Sequence, residues 1–396
     1  MAAFDVRAFD VVVIGGAVTG SSVAYHLASD PGFGGRVLVL EPDPSYQRCA
    51  SALSAASIRQ QYSTAINVEI SLHGISFLRE IGERLAVEGE RPEIGLTEGG
   101  YLFLAGPQGR AALAAGHGVQ VAHGADIVFL EPEALAARFP WLNVEGLAAG
   151  CHGLSGEGWF DGYGLMQAFR RKARALGVTY RAARAQGVRV AGGRVAGVVL
   201  AGGEEIACGA VVNAAGAGGR AIARAAGIDI PIHMKKRMIF TFTAQDEVPG
   251  CPLLIDPGGT YVRPEGRGFL CGAAPAPEDD PDSDDFEVDH AFFDDVVWPA
   301  LAARVPAFER IRPGRAWAGH YDMNAFDQNA FIGPVDGLEG FYLANGFSGH
   351  GLQQAPAVGR GIAELVVHGR YVSLDLSPLA FSRLAGNRPV RELKVV

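Results

Sequence analysis

The sequence predicts an α/β fold in which a parallel-sheet unit, assembled from the two ends of the chain, is interleaved with an α+β unit built on an antiparallel sheet. Three observations predict it. The first residues run from a buried-type strand through a glycine turn into a helix and a second strand. The stretch from Gly340 to Gly369 repeats the strand, glycine turn and helix near the other end. Between them lie short alternating segments such as MIFTFT, which read as half-buried antiparallel strands.

Each element has a local cause. Phe9 to Ile14 reads FDVVVI, a short β-branched apolar run closed by glycine, as expected of a strand buried on both faces. Gly15 to Gly20 form its turn. Val23, Leu27 and Ala28 then recur at helical spacing until Asp30-Pro31-Gly32 stops the helix. Arg36 to Leu40 (RVLVL) is a second buried strand, ended by Glu41-Pro42. Further on, a helical pattern covers Val68 to Arg84, strands are expected at Gly100 to Leu104 and Ile127 to Leu130, and Pro132 opens a short helix to Phe139. Asp161 opens a helix reaching Leu176. Strand-like VTYRA, the hairpin pattern GGRVAGVVL and the apolar strand VVNAAGAGG with its glycine turn follow. Met238 to Thr243 alternates, and Thr260 to Arg263 pairs with Gly268 to Cys271 as a hairpin. The carboxylate-rich run from Pro275 to Asp289 reads as a solvated acidic loop, and a last amphipathic helix is expected from about Gln354 to His368.

At 396 residues, the chain is long enough for two or three domains and a large core. Hydrophobic residues at 48% and charged residues at 19% are ordinary globular usage, which excludes wholesale disorder. A net charge of −9 opposes a nucleic-acid role, and the best basic stretch, Lys235-Lys236-Arg237, is too short to reverse that. No apolar run approaches the roughly 18 residues that span a bilayer. Asp5, Arg7 and Asp10 leave no room for a signal or transit segment, so a cytoplasmic location is expected. Cys49, Cys151, Cys208, Cys251 and Cys271 are widely spaced and lack a CxxC pair, and the histidines show no HExxH pattern. Neither a disulfide framework nor a metal centre is expected.

Two motifs carry chemistry. Gly15-Gly16-Ala17-Val18-Thr19-Gly20 matches the dinucleotide fingerprint GxGxxG with Ala17 in the second glycine slot. Gly15 permits the tight turn, Gly20 permits close packing of helix on strand, and the helix start offers N–H groups to a pyrophosphate. Ala17 adds a β-carbon facing the phosphates. Glu41, about 20 residues beyond, ends the second strand where a carboxylate can accept from a ribose diol. It would repel a 2′-phosphate, so the cofactor is NAD or FAD rather than NADP. The second motif, Gly346-Phe347-Ser348-Gly349-His350-Gly351-Leu352-Gln353, lets backbone approach a flat ligand and aims a helix start at it. His350 alone reads equally as a satisfied loop histidine.

In VVVIGGAVTGSSVAYHL, LVLEPD, VVNAAGAGG, WAGHYDMNAFDQNAFIGP and GFSGHGLQQAPAVGRGIAEL, the chain resembles the D-amino acid oxidase (DAO) superfamily of FAD-dependent oxidoreductases. Within it, the chain is most similar to the sarcosine oxidase branch, particularly the FAD-dependent oxidoreductase-domain proteins known in eukaryotes as complex I assembly factors. The similarity runs from Asp10 to about Ser377. It implies a Rossmann-like FAD-binding domain (residues 1–95, 151–228 and 316–396) interleaved with an antiparallel substrate-binding domain (96–150 and 229–315). It implies cofactor contacts at Gly15 to Gly20, Glu41, Pro42, Ser51, Ser54, Ala55, Ala185, Ala214, Ala215, Gly216 and Gly319, and again at Gly346 and from Ser348 to Gln353.

The resemblance puts the substrate-carboxylate arginine at Arg59, with Tyr261 and Arg263 on the strand that lines the pocket and His350 polarising the flavin. It implies oxidation of a C–N bond in a small secondary amine or amino acid, sarcosine-like, N-alkyl or D-configured. Oxygen or another carrier would take the electrons. Departures qualify this. The family's covalent flavin linkages fall at Gly319-His320 and near Ser54, so non-covalent FAD is expected. Lysines that support oxygen chemistry or lie near the carboxylate fall at Leu270 and Gln353, which moves the expectation towards a dehydrogenase. A rival reading is a flavoprotein serving as an assembly factor or subunit, in a homo- or hetero-oligomer. A third, an NAD-dependent dehydrogenase, leaves the carboxy-terminal turn without a role.

Overall fold

The computed structural model describes residues 9–393; the amino-terminal Asp5 and Arg7, and the outer ends of the expected first domain at 1–8 and 394–396, lie outside it. Two eight-stranded sheets organise the chain. In the first, Phe9–Ile14 is central. It runs parallel to Val37–Glu41 on one side, with Val12 opposite Leu38, and to Glu205–Asn213 on the other, with Val12 opposite Val211. Glu205–Asn213 is in turn parallel to Leu338–Asn345, with Val212 opposite Tyr342. The two ends of the chain therefore meet in one sheet.

The central strand is apolar all along because both its faces are covered. Val11 and Val13 pack with the helices Val18–Ser29 and Gly351–His368, while Val12 and Ile14 pack with Phe331 and Phe341 on the other face. Each such buried side chain contributes roughly 1.5–3 kcal/mol. The helix Val18–Ser29 rests on Gly351–His368, where the Ser22 hydroxyl donates to the Ala355 carbonyl at 2.7 Å.

The second sheet runs Ile311–Asn324, Ile232–Ala244, Gly268–Gly272, Tyr261–Glu265, Leu253–Ile255, Tyr101–Ala105, Ala149–Gly153, Ile127–Leu130. It is antiparallel except where Leu253–Ile255 lies parallel to Tyr101–Ala105. The expected boundaries at 151 and 316 fall inside strands of this sheet, Ala149–Gly153 and Ile311–Asn324. The alternation at Met238 to Thr243 marks only the second half of a longer strand paired from Ile232 opposite Asn324 to Ala244 opposite Ile311.

The acidic run is largely exposed, as expected of a solvated loop, and it also lies as a strap across the basic triplet. Arg237 holds Asp280 bidentately at 2.7 and 2.9 Å, Lys236 reaches Asp285 at 2.7 Å, and Lys235 lies 3.2 Å from Asp282. Opposite charges placed by the pairing of residue 235 with residue 282 explain both segments at once. The last helix also starts three residues early, at Gly351, because the glycine turn leads straight into it. Among the described residues, no helix is long and apolar enough to cross a membrane, and no cluster of side chains could hold a metal ion.

Candidate active site

The first turn is built by close approach. Gly15 has φ +99°, and a β-carbon there would lie 2.3 Å from the Ala214 carbonyl oxygen. The backbone of Ala214 donates to the Ile14 carbonyl at 2.9 Å, so the turn Ala214-Ala215-Gly216 sits beside Gly15 as the motif requires. The helix Val18–Ser29 begins with no side-chain cap and no acidic residue in its first turn. Its first N–H groups have no helical acceptor, and that positive end suits an anionic group. Val18 N–H donates to the Ser51 hydroxyl at 3.3 Å. Glu41 accepts from Gly16 N–H at 2.9 Å and from Asp43 N–H at 2.9 Å, one to each oxygen, which fixes the carboxylate and leaves lone pairs for a diol. Burial raises its pKa above the ordinary carboxylate value, against the pull of those two bonds. Ser54 accepts from Ala56 N–H at 3.0 Å and shapes the loop that follows. Ala185 opens the strand Ala185–Ala191 and packs on the face shared by Ile14 and Leu40.

The second turn hangs from the strand Ile311–Asn324. Asp322 accepts from Gly346 N–H at 2.6 Å, its carbonyl accepts from Ser348 N–H at 3.0 Å, and Asn324 N–H donates to the Ser348 hydroxyl at 3.0 Å. These bonds hold Ser348 at φ +51°, a left-handed value that a serine adopts only under constraint. Burial pushes the Asp322 carboxyl up to about 6, opposed by these backbone bonds. Sequence reading missed Asp322, since nothing near it marks a turn 24 residues away. The helix Gly351–His368 starts, like the first, with no side-chain cap and no acid in its first turn. Leu352 is buried just behind that start.

Arg59 and His350 meet. Arg59 Nη2 lies 2.9 Å from His350 Nε2, and Nη1 donates to the Gln61 carbonyl at 3.0 Å. The guanidinium lies over the rings of Tyr62 and Phe103, 4.3 and 5.1 Å from their centroids. Burial first, and then the neighbouring guanidinium, holds the His350 pKa well below the usual histidine range, so the imidazole is neutral. A guanidinium has donors only, so Nε2 is the acceptor and the ring proton sits on Nδ1. That buried Nδ1 has no hydrogen-bond partner among the described residues. It is a donor left over for a ligand, which separates His350 from a satisfied loop histidine.

The remaining sequence candidates are placed differently. Gln353 uses its side chain internally: Oε1 accepts from Arg59 N–H at 2.8 Å and the amide donates to Tyr62 Oη. Arg263 donates from Nε and Nη2 to the Ala55 carbonyl, at 3.1 and 2.7 Å, and from Nη1 to Pro264 and Glu265. It ties the strand Tyr261–Glu265 to the loop after the second strand. Tyr261 packs on the cluster of Tyr62, Tyr101 and Phe103. Gly319 faces Leu53, where a β-carbon would approach to 2.9 Å. Pro42 follows Glu41 directly and ends the strand.

Two helix starts in one layer with no acidic residue in their first turns, a carboxylate at the end of the second strand, and a spare Nδ1–H donor fit FAD. The pyrophosphate would meet the first helix start, Glu41 the ribose, and the carboxy-terminal turn the flavin.

Comparison with known proteins agrees. The DAO family, described as FAD dependent oxidoreductase, matches residues 10–365. A Xenopus laevis protein named FAD-dependent oxidoreductase domain-containing protein 1 is 40% identical over 98% of this chain and 85% of its own length. Dimethylglycine dehydrogenase of Rattus norvegicus mitochondria is 26% identical over 94% of this chain and 45% of its own length. The crystal structure of L-proline dehydrogenase from P. horikoshii superposes with a TM-score of 0.84 at 25% identity, covering 96% of this chain and 98% of that one. A family match along most of the chain, over a site whose residues fit the cofactor, leads to one conclusion: this chain belongs to the DAO family of FAD-dependent oxidoreductases.

Proposed function

We propose that this chain oxidises the C–N bond of a small secondary amine or amino acid carrying a carboxylate. The observation that carries the reading is Arg59: a buried guanidinium between two aromatic rings, with hydrogen bonds to a carbonyl and a neutral imidazole, beside the turn that fits a flavin. A substrate carboxylate accepts two parallel bonds from such a group and is held with its α-carbon at a fixed place. Two of the similar proteins are named for dimethylglycine and L-proline, both amino acids substituted on nitrogen.

FAD, when bound, supplies the acceptor for the hydride that leaves the substrate's α-carbon. Arg59 orients the carboxylate, and His350 presents Nδ1–H towards the flavin or the substrate. Tyr62, Phe103 and Tyr101 exclude water from the reacting end, which strengthens the charge contacts there. Arg263 assists through the Ala55 loop. No general base is assigned, because the amine can enter unprotonated and water hydrolyses the imine product. We place FAD in a non-covalent site within a Rossmann-like domain, with the substrate domain on the second sheet. The five cysteines form no disulfide, which supports a reducing, cytoplasmic setting.

Leu270 is buried and Gln353 is neutral and engaged, so neither supplies a cation where superoxide would form. This favours a carrier other than oxygen as acceptor, and it also favours, as a second reading, a flavoprotein subunit with little independent turnover. Purified yellow protein is mixed anaerobically with N-methyl amino acids, proline and D-amino acids. Loss of flavin absorbance with at least one of them supports oxidation; no bleaching across the panel favours the subunit reading.

A further inference from the structure

The peptide that follows Arg59 is held from behind by a carboxylate that the sequence does not single out. Glu157 is fully buried, just before the two-residue strand Gly158–Trp159. Its Oε1 accepts from the backbone N–H of Gln60 at 2.5 Å and of Gln61 at 3.1 Å, and its Oε2 accepts from the Gln61 side-chain amide at 2.9 Å. The same Gln61 amide reaches the Tyr101 carbonyl at 3.2 Å, and the Gln60 side chain donates to the Gly156 carbonyl at 3.2 Å. Room for the carboxylate exists because residue 153 is glycine: a β-carbon there would lie 1.9 Å from Oε2.

These contacts act on Arg59 through one residue. Gln61 gives its N–H to Glu157 and receives Arg59 Nη1 on its carbonyl. Fixing Gln61 therefore fixes the acceptor that sets the height of the guanidinium, and with it the contact to His350. A neutral side chain cannot replace this fully, because two adjacent backbone donors converge on one oxygen, which favours an ionised acceptor.

We propose that Glu157 is the positioning residue for Arg59: its ionised carboxylate locks the Gln60–Gln61 peptide and so holds the guanidinium where a substrate carboxylate is received. The proposal rests on the reading of Arg59 given above. The charged and titratable groups that interact with Glu157 are Arg59 and the phenol of Tyr101; at the preceding residue, Gly156 N–H donates at 2.7 Å to Glu98, which is paired with Arg79. Burial pushes the Glu157 carboxyl up to about 6, with the Gln60 and Gln61 bonds and Arg59 pulling it back. Carboxylate binding at Arg59 accordingly weakens as pH falls through about 6, where the locking charge is lost.

The test uses the FAD-loaded protein with E157Q and E157D. Benzoate is titrated from pH 5.5 to 8 and followed by the shift of the flavin visible spectrum, and crystal structures of both variants are determined. The expected result is benzoate binding about tenfold weaker in E157Q, without the native step near pH 6, and a raised KM with near-native kcat for any amine substrate. E157D, which keeps the charge, recovers part of the affinity and the step. A displaced Arg59 guanidinium in E157Q supports the proposal. Native benzoate affinity with the native pH step in E157Q, or a guanidinium still on Gln61 and His350, overturns it. If the native protein binds no benzoate, the reading of Arg59 as a carboxylate anchor fails, and the position of Arg59 in the E157Q and E157D crystals alone decides the role of Glu157.

Discussion

Arg59 Nη2 and His350 Nε2 lie 2.9 Å apart although 291 positions separate them in the chain. The contact joins the loop after the second strand to the start of the carboxy-terminal helix, and it assigns the imidazole proton to Nδ1. The proposed substrate anchor and the turn proposed to meet the flavin are thus one unit, with predictable consequences when either is changed.

Replacing Arg59 by alanine removes the proposed carboxylate anchor. KM for a carboxylate-bearing amine is expected to rise about 10- to 100-fold, as for a charge-assisted bond worth roughly 1.5–3 kcal/mol. Arg59→Lys keeps the charge but not the planar fork and recovers only part of the loss. Steady-state kinetics with an artificial acceptor checks both variants.

Gly20→Ala tests the first turn. A β-carbon at Gly20 would lie 1.8 Å from the Gly15 carbonyl oxygen, so helix and strand must separate. The expected outcome is protein that purifies with little yellow colour and binds added FAD at least about tenfold more weakly. The ratio of flavin to protein absorbance reads it directly.

Asp322 predicts a pH dependence of stability. Its carboxyl is raised by burial from 3.8 to about 6, so the folded protein binds the proton more tightly than the unfolded chain does. Stability from this group is present at low pH and is lost as pH rises from about 4 to about 6, by about 3 kcal/mol for the full shift. Glu157, raised in the same direction, adds to the slope. Denaturant unfolding between pH 4 and 7 should show a shallower fall for Asp322→Asn than for the native chain.

The acidic strap predicts a salt-sensitive surface. Arg237→Ala removes the bidentate pair to Asp280 and the hydrogen bond to Tyr321 at 2.7 Å. Cleavage within residues 276–289 by limited proteolysis is expected to accelerate in the variant, and in the native protein at high ionic strength. Equal cleavage rates in variant and native protein would contradict the clasp.

What the sequence made legible was local. The run FDVVVI, its glycine turn and Glu41 specify one another within a few dozen residues, and the structure places them as expected. Apolar runs cannot show which strands pair across hundreds of residues, yet the two glycine turns each announce a strand and helix, and these prove to share a sheet and a helix layer. The helix Arg110–Ala122 was hidden because its alanines and glycines leave a faint apolar stripe, with only Leu113 among its apolar side chains buried. Glu157 and Asp322 look like ordinary surface acids in sequence; only the fold shows that both are buried against backbone N–H groups. Charge indicated the exposure of the strap, but not the pairing of residue 235 with residue 282 that brings it onto the basic triplet.

The most direct test of the account is anaerobic stopped-flow absorbance of the FAD-loaded protein mixed with N-methyl amino acids and proline, native beside Arg59→Ala. The account predicts bleaching of the flavin band by at least one of these in the native protein, saturating with substrate, and a shift of that saturation to far higher concentration in the variant. Bleaching that saturates at the same concentration in both would contradict it.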